Sequence, residues 1–150
     1  IVTVTEDEIC AAILALIEQQ KLIAEGAGAV SVAAAMFNKV PVAGKKTICV
    51  VSGGNIDVTI LSRVISRGLD RSGRTYTVTL DLHDRPGELK RVAEIIANLG
   101  GNIISVLHER NNNTSNVTAC FLRLVMETRN AEHISLIRGA LEKAGYSIVD

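Results

Sequence analysis

From Thr75 onward the apolar residues switch between a spacing of two and a spacing near 3.6, in the order strand, helix, strand, strand, helix, strand. Tyr76, Val78, Leu80 and Leu82 alternate with Thr77, Thr79, Asp81 and His83, which predicts a half-buried strand. Leu89, Val92, Ala93, Ile96 and Leu99 fall on one face of a helix that Gly100-Gly101 ends. Residues 102–110 and 117–127 read as an antiparallel hairpin around a polar turn at 111–116. Ile134, Ile137, Leu141 and Ala144 mark a second helix, and residues 146–149 a fourth strand. This order permits few architectures, and the simplest is α+β: a ferredoxin-like βαββαβ unit in which two helices cover one face of a four-stranded antiparallel sheet. The third strand carries Phe121 and Val125 on one side and Leu122, Leu124 and Met126 on the other, so both faces are partly apolar. Self-association through the sheet or its edge, as a homodimer or higher oligomer, is expected.

The first part of the chain has a different grammar. Thr5, followed by Glu6, Asp7 and Glu8, is a capping box that starts a helix carrying Ile9, Ile13, Leu16 and Ile17. Glu25-Gly26-Ala27-Gly28-Ala29 opens a second, alanine-rich helix through Phe37. Thr47-Ile48-Cys49-Val50-Val51 is a short β-branched run of the kind found in parallel strands covered on both faces. Ser52-Gly53-Gly54-Asn55 turns it, and Ile56, Ile60, Leu61, Val64 and Ile65 mark a third helix. Strand, glycine loop and helix together predict an α/β piece with too few strands to build a sheet alone. Residues 66–74 hold two glycines and alternating charges without apolar periodicity, as a linker does. The expected division is 1–66, a linker at 67–74, and 75–150. The opening Ile1-Val2-Thr3-Val4-Thr5 reads as a cut from something longer.

Composition excludes several classes. Sixteen basic and sixteen acidic residues cancel, so no net field draws the chain to phosphate backbones or anionic lipid. Aromatics make up 3%, too few for a base-stacking surface, and the core must be built from the aliphatic residues that dominate the 47% hydrophobic content. Neither nucleic acid nor membrane is an expected partner. Cys10, Cys49 and Cys120 sit in separate apolar runs, as reduced thiols of a cytoplasmic protein do. Asn112, Asn113 and Asn116 stand in formal N-glycosylation sequons but read better as the polar turn. His83, His108 and His133 fall on different elements without metal-ligand spacing, so no metal is expected and each is placed at a surface or strand edge.

The chemistry concentrates in two places. Asp84-Arg85-Pro86-Gly87 leads directly to the start of the first helix of the second unit, around Glu88 and Leu89. Orphan N–H donors and the positive end of the helix dipole favour a carboxylate there, while glycine lets a ligand approach the backbone. With the βαββαβ order and Gly100-Gly101-Asn102-Ile103 entering the second strand, this loop resembles the ACT domain over residues 74–150. That resemblance implies an amino-acid effector held between Asp84, Arg85, Pro86, Gly87, Glu88 and Leu89 of one copy and Asn102 and Ile103 of a partner. Asn102 can both donate to and accept from an α-amino acid.

Residues 1–65 resemble the end of a fold type II pyridoxal-phosphate domain, as in threonine dehydratases, through Glu25-Gly26-Ala27-Gly28-Ala29 and Val51-Ser52-Gly53-Gly54-Asn55-Ile56-Asp57. The resemblance implies that Ser52 contacts the ring nitrogen of pyridoxal phosphate, with Gly53 in the turn and Glu25 nearby. The family's Schiff-base lysine motif and phosphate-binding glycine run have no counterpart here. Lys21, Lys39, Lys45 and Lys46 lie outside any such context. No catalytic residue and no bound cofactor are therefore expected in this chain, which should be inactive by itself. In the whole enzyme the implied reaction is L-threonine to 2-oxobutanoate and ammonia, with isoleucine the expected effector. Two other readings stay open: an ACT-like unit that only assembles the enzyme, and the same architecture in a serine dehydratase.

Overall fold

A computed structural model describes residues 1–110 and 119–149. The expected polar turn at 111–116 with its three sequons, and the Val117 start of the third strand, lie outside the described residues. The chain divides into two compact units, Ile1–Arg71 and Ser72–Asp150.

In the first unit, α1 (Glu6–Ala15) begins at Thr5 with both bonds of the capping box in place. The Glu8 N–H donates to the Thr5 hydroxyl at 3.2 Å, and the Thr5 N–H donates to the Glu8 carboxylate at 2.8 Å. One π-helical turn, Leu16–Gln20, follows and stops where Lys21 turns left-handed. Next come α2 (Gly26–Met36) and α3 (Val58–Arg71). The Asp57 carboxylate starts α3 by accepting from the Thr59 hydroxyl and from the Thr59 and Ile60 amides, bonds that hold its acid below the usual range. The core is small and alanine-rich: Ala12, Ile13, Leu16, Ala24, Ala29 and Ala33, with Ile9, Leu61 and Val64 packed against it.

Two expectations for this unit need correction. Thr47 to Val51 carry no strand, and Ile48 and Val50 are 91% and 70% exposed. A strand exists through the ladder bonds of its neighbours, and the unit holds no other strand among the described residues. Residues 66–71, read as linker, are the last part of α3. Gly68 breaks nothing there: it lets α3 lie against α1, since a Cβ would stand 2.9 Å from Leu14 Cδ2. Arg67 and Arg71 reach the Asp7 carboxylate at the start of α1, the Arg67 hydrogen bond being foremost in holding that acid below its usual range.

The second unit has the predicted order: β1 (Thr75–His83), α4 (Glu88–Asn98), β2 (Asn102–Arg110), β3 (Ala119–Glu127), α5 (Ala131–Lys143) and β4 (Ser147–Ile148). The sheet order is β2-β3-β1-β4 with every pairing antiparallel, a ferredoxin-like α+β fold. Val78, Leu80 and Leu82 of β1 and Cys120, Leu122, Leu124 and Met126 of β3 form one buried layer with Val92 and Ile96 of α4 and Ile137 and Leu141 of α5. Both helices therefore cover the same face. Full burial of each such aliphatic side chain contributes about 1.5–3 kcal/mol before entropy is counted.

Asn130 caps α5 through the His133 N–H at 2.9 Å. His133, expected at the surface, is buried: Nδ1 accepts the Arg129 N–H at 3.1 Å, which leaves Nε2–H to donate to the Leu99 carbonyl at 2.9 Å. It ties the end of α4 to the start of α5.

Candidate functional site

The loop after β1 is shaped by one residue with a fixed torsion and one that tolerates a left-handed backbone. Pro86 fixes one torsion, and Gly87, the N-cap of α4, sits at φ +94°, where a side chain is strained. The Glu88 N–H reaches back to the Arg85 carbonyl at 3.3 Å, closing the turn. With glycine at the cap, no capping side chain takes up the first-turn donors of α4. A Cβ at Gly87 would meet nothing within 4 Å, so the space beside this backbone is open.

That space is a cavity of ≈ 400 Å³ lined by Leu82, Asp84, Arg85, Pro86, Gly87, Glu88, Leu89, His108 and Leu122. The structure thus brings together all six loop residues singled out in the sequence. A second hollow of ≈ 520 Å³ is lined by Arg85 and Glu88 together with His83, Arg91, Phe121 and residues 144–147. Leu82, Arg85 and Glu88 line both. The Glu88 carboxylate accepts from the Tyr146 hydroxyl at 2.9 Å and lies 3.5 Å from Arg91. Burial, followed by the hydrogen bond and negative charge of Glu88, pushes the Tyr146 phenol above its ordinary value.

Asn102 and Ile103 do not join this cavity within one copy. Asn102 opens β2 opposite Glu127, to which its side-chain amide donates at 2.8 Å, and Glu127 also pairs with Thr75 at the start of β1. The loop leaves the other end of β1, beyond His83. Loop and Asn102 therefore stand at opposite ends of one sheet. A ligand touching both needs two copies, the arrangement that the ACT resemblance implies.

The residue that does reach the loop from β2 is His108. A bulge at Ile104 shifts the register between Ile103 and Ser105, so Val106 and His108 stand opposite Leu124 and Leu122, on the helix-covered face. His108 Nε2 lies 3.2 Å from Cys120 Sγ and 3.8 Å from Asp84 Oδ1. The sequence reading missed this meeting because unbroken alternation from Ile103 sends His108 to the opposite face.

In the first unit the two glycine-bearing motifs meet. The Glu25 N–H donates to the Gly53 carbonyl at 3.0 Å. A Cβ on Gly28 would stand 2.6 Å from the Gly53 oxygen, and one on Gly53 would stand 2.5 Å from Glu25 Oε1. Ser31 and Cys49 add bonds between α2 and the segment before the turn: Ser31 Oγ donates to the Val50 carbonyl at 2.8 Å, and Cys49 Sγ to the Ser31 carbonyl at 3.6 Å. Ser52, next to this fixed turn, is exposed. The turn thus presents a hydroxyl to solvent, with its backbone held by the Glu25–Gly53 hydrogen bond.

Fold and loop together define the class: a glycine-punctuated helical unit followed by a ferredoxin-like α+β unit with an open, glycine-capped helix start. No family model matches the sequence. The chain is homologous over nearly its whole length to L-threonine ammonia-lyases. It is 45% identical over 147 residues to one from Thermotoga maritima, covering 98% of this chain and 36% of that protein. The enzyme of that name from Geobacter sulfurreducens is 41% identical over 148 residues, 99% of this chain and 37% of its own length. The chain thus spans little more than a third of these relatives. Among solved structures, a formyltetrahydrofolate deformylase from Burkholderia mallei aligns with a TM-score of 0.38 and 13% identity, over 51% of this chain and 28% of that one.

Proposed function

We propose that this chain is the regulatory, C-terminal part of a pyridoxal-phosphate-dependent L-threonine ammonia-lyase, and that its second unit is an ACT domain that binds an amino-acid effector. The observation that carries the reading is the cavity into which residues 84–89 all open at the uncapped start of α4. Backbone N–H donors and the helix dipole receive the effector's carboxylate, Arg85 stands beside them, and Asn102 of a second copy takes the ammonium end. Isoleucine is the effector of first choice. Binding couples to activity through a difference in affinity between two packings of paired ACT domains, for which about 1–3 kcal/mol suffices.

In the whole enzyme, pyridoxal phosphate supplies the electron sink that lets the substrate α-proton leave and ammonia be released. This chain contributes Ser52 at the ring nitrogen, on a turn held in place by Gly53 and Glu25. Ile48, Val50 and Val58, at 91%, 70% and 79% exposure, fit surface that the remainder of such a domain covers. By itself the chain should turn over no threonine.

Calorimetry with isoleucine, valine, threonine and serine tests the reading. Saturable heat from one of them, lost in Gly87→Asp, supports it. The competing reading, a unit that only assembles the enzyme, draws on the exposed Ile104, Val106 and Leu107 of edge strand β2. Silence from all four amino acids on a folded dimer selects that reading instead.

A further inference from the structure

Asp84, His108 and Cys120 come from three separate places in the chain: the loop after β1, the far part of β2 and the start of β3. One ligand atom from each falls within 4.8 Å of the other two, the one such group of histidine, cysteine and acidic residues among the described residues. We propose that these three side chains bind a thiophilic divalent cation of the zinc class at the wall of the loop cavity, which Asp84 and His108 also line.

The donor set and its dimensions support this. One thiolate, one imidazole and one carboxylate match the ligand types of zinc. A tetrahedral ion about 2.3 Å from sulfur and about 2.0 Å from nitrogen and oxygen holds its donors roughly 3.3–3.6 Å apart. The Nε2–Sγ and Nε2–Oδ1 separations are 3.2 and 3.8 Å, on either side of that range, and the Asp84 carboxylate, within 4.8 Å of Cys120 Sγ, moves in from the surface to complete the set. Cys120 is fully buried, whereas the His108 and Asp84 side chains are 36% and 32% exposed, which gives the ion an entry from the surface. Cys120 ionises as it binds and its proton passes to solvent, so affinity rises with pH. Three protein ligands leave the fourth position for water, as in open zinc sites. Because Asp84 is the first residue of the loop, the ion ties the loop to β2 and β3.

Cobalt(II) titration of the reduced, chelator-stripped chain tests the proposal. The expected result is a near-ultraviolet thiolate-to-cobalt band at one equivalent, displaced by zinc. The band should persist in Cys10→Ser and Cys49→Ser and vanish in Cys120→Ser. His108→Gln and Asp84→Asn, both at exposed positions, should each weaken binding by more than the roughly 10–100-fold that loss of an outer-shell partner costs. No band in the parent chain, a band that survives Cys120→Ser, or unchanged affinity in both surface variants overturns the proposal. If Cys120→Ser fails to fold by circular dichroism, the two surface variants decide.

Discussion

Gly87 separates the demands of folding from those of binding. Its φ of +94° penalises any side chain by about 1–2 kcal/mol, yet nothing within 4 Å blocks one. Gly87→Asp should therefore lower unfolding free energy by no more than about that amount, since Asp tolerates this backbone region better than most residues. Effector binding should nonetheless be lost, because the new carboxylate competes for the same amides and repels the ligand's own. Chemical denaturation beside calorimetry checks both halves. Tyr146 allows a pH prediction with a defined sign. Its folded-state pKa lies above the usual value of about 10, so the neutral phenol is what the fold favours. The associated stability is complete below that value and is lost as pH rises through the folded-state pKa. Phenolate absorbance in a Tyr76→Phe background isolates the titration, and Glu88→Gln should bring it down. None of this was legible in the sequence, where Tyr146 was only the first residue of a short strand. The loop itself was legible, because Pro and Gly at a strand-to-helix junction state their torsions outright.

Among elements, the order in the second unit was read correctly. The alternation in β1 and the amphipathic faces of α4 and α5 each point to one shared layer, and the structure places that layer where the patterns converge. Errors arose where the pattern depended on something nonlocal. The run at 47–51 has strand composition but no neighbouring strand, and the bulge at Ile104 reverses the facing of the residues after it. Gly68 misled in the same way, since from sequence it signals a linker although it lies inside α3; the glycines that open α2 were read as helical. In α2, Gly28 is required by contact: a Cβ would lie 2.6 Å from the Gly53 carbonyl oxygen and 3.0 Å from the Gly53 nitrogen. An unconstrained helical Gly→Ala change stabilises by about 0.8–1.0 kcal/mol. Gly28→Ala should reverse that sign and cost about 1–3 kcal/mol, because backbone has to move. Thermal unfolding followed by helical circular dichroism measures it, and a gain in melting temperature contradicts the close packing of α2 on the turn.

For the whole molecule, the separation of Gly87 and Asn102 to opposite ends of one sheet makes the proposed effector binding a question of assembly. A twofold pair presents the same two patches twice, the loop of each copy to the Asn102 end of the other. Each complete site then takes one half from each chain. Chains carrying Gly87→Asp alone, or Asn102→Ala alone, should assemble and bind no effector, since every site in such a pair has one broken half. Mixing the two variants changes the count. Random pairing makes about half the dimers mixed, and each mixed dimer holds one intact site and one doubly broken site, so roughly a quarter of the unmutated capacity returns. Recovery of that order in an equilibrium-dialysis measurement, after time for subunit exchange, is the expected outcome. A site contained within one copy gives no recovery at any mixing ratio, because each chain would still carry its own defect. Val106→Lys with Leu107→Lys, on the exposed edge strand, supplies the companion test: charge at the edge should shift sedimentation toward the monomer and abolish binding while Gly87 and Asn102 both remain. Binding that survives in such a monomer would place the whole receptor on one sheet and remove the need for a partner.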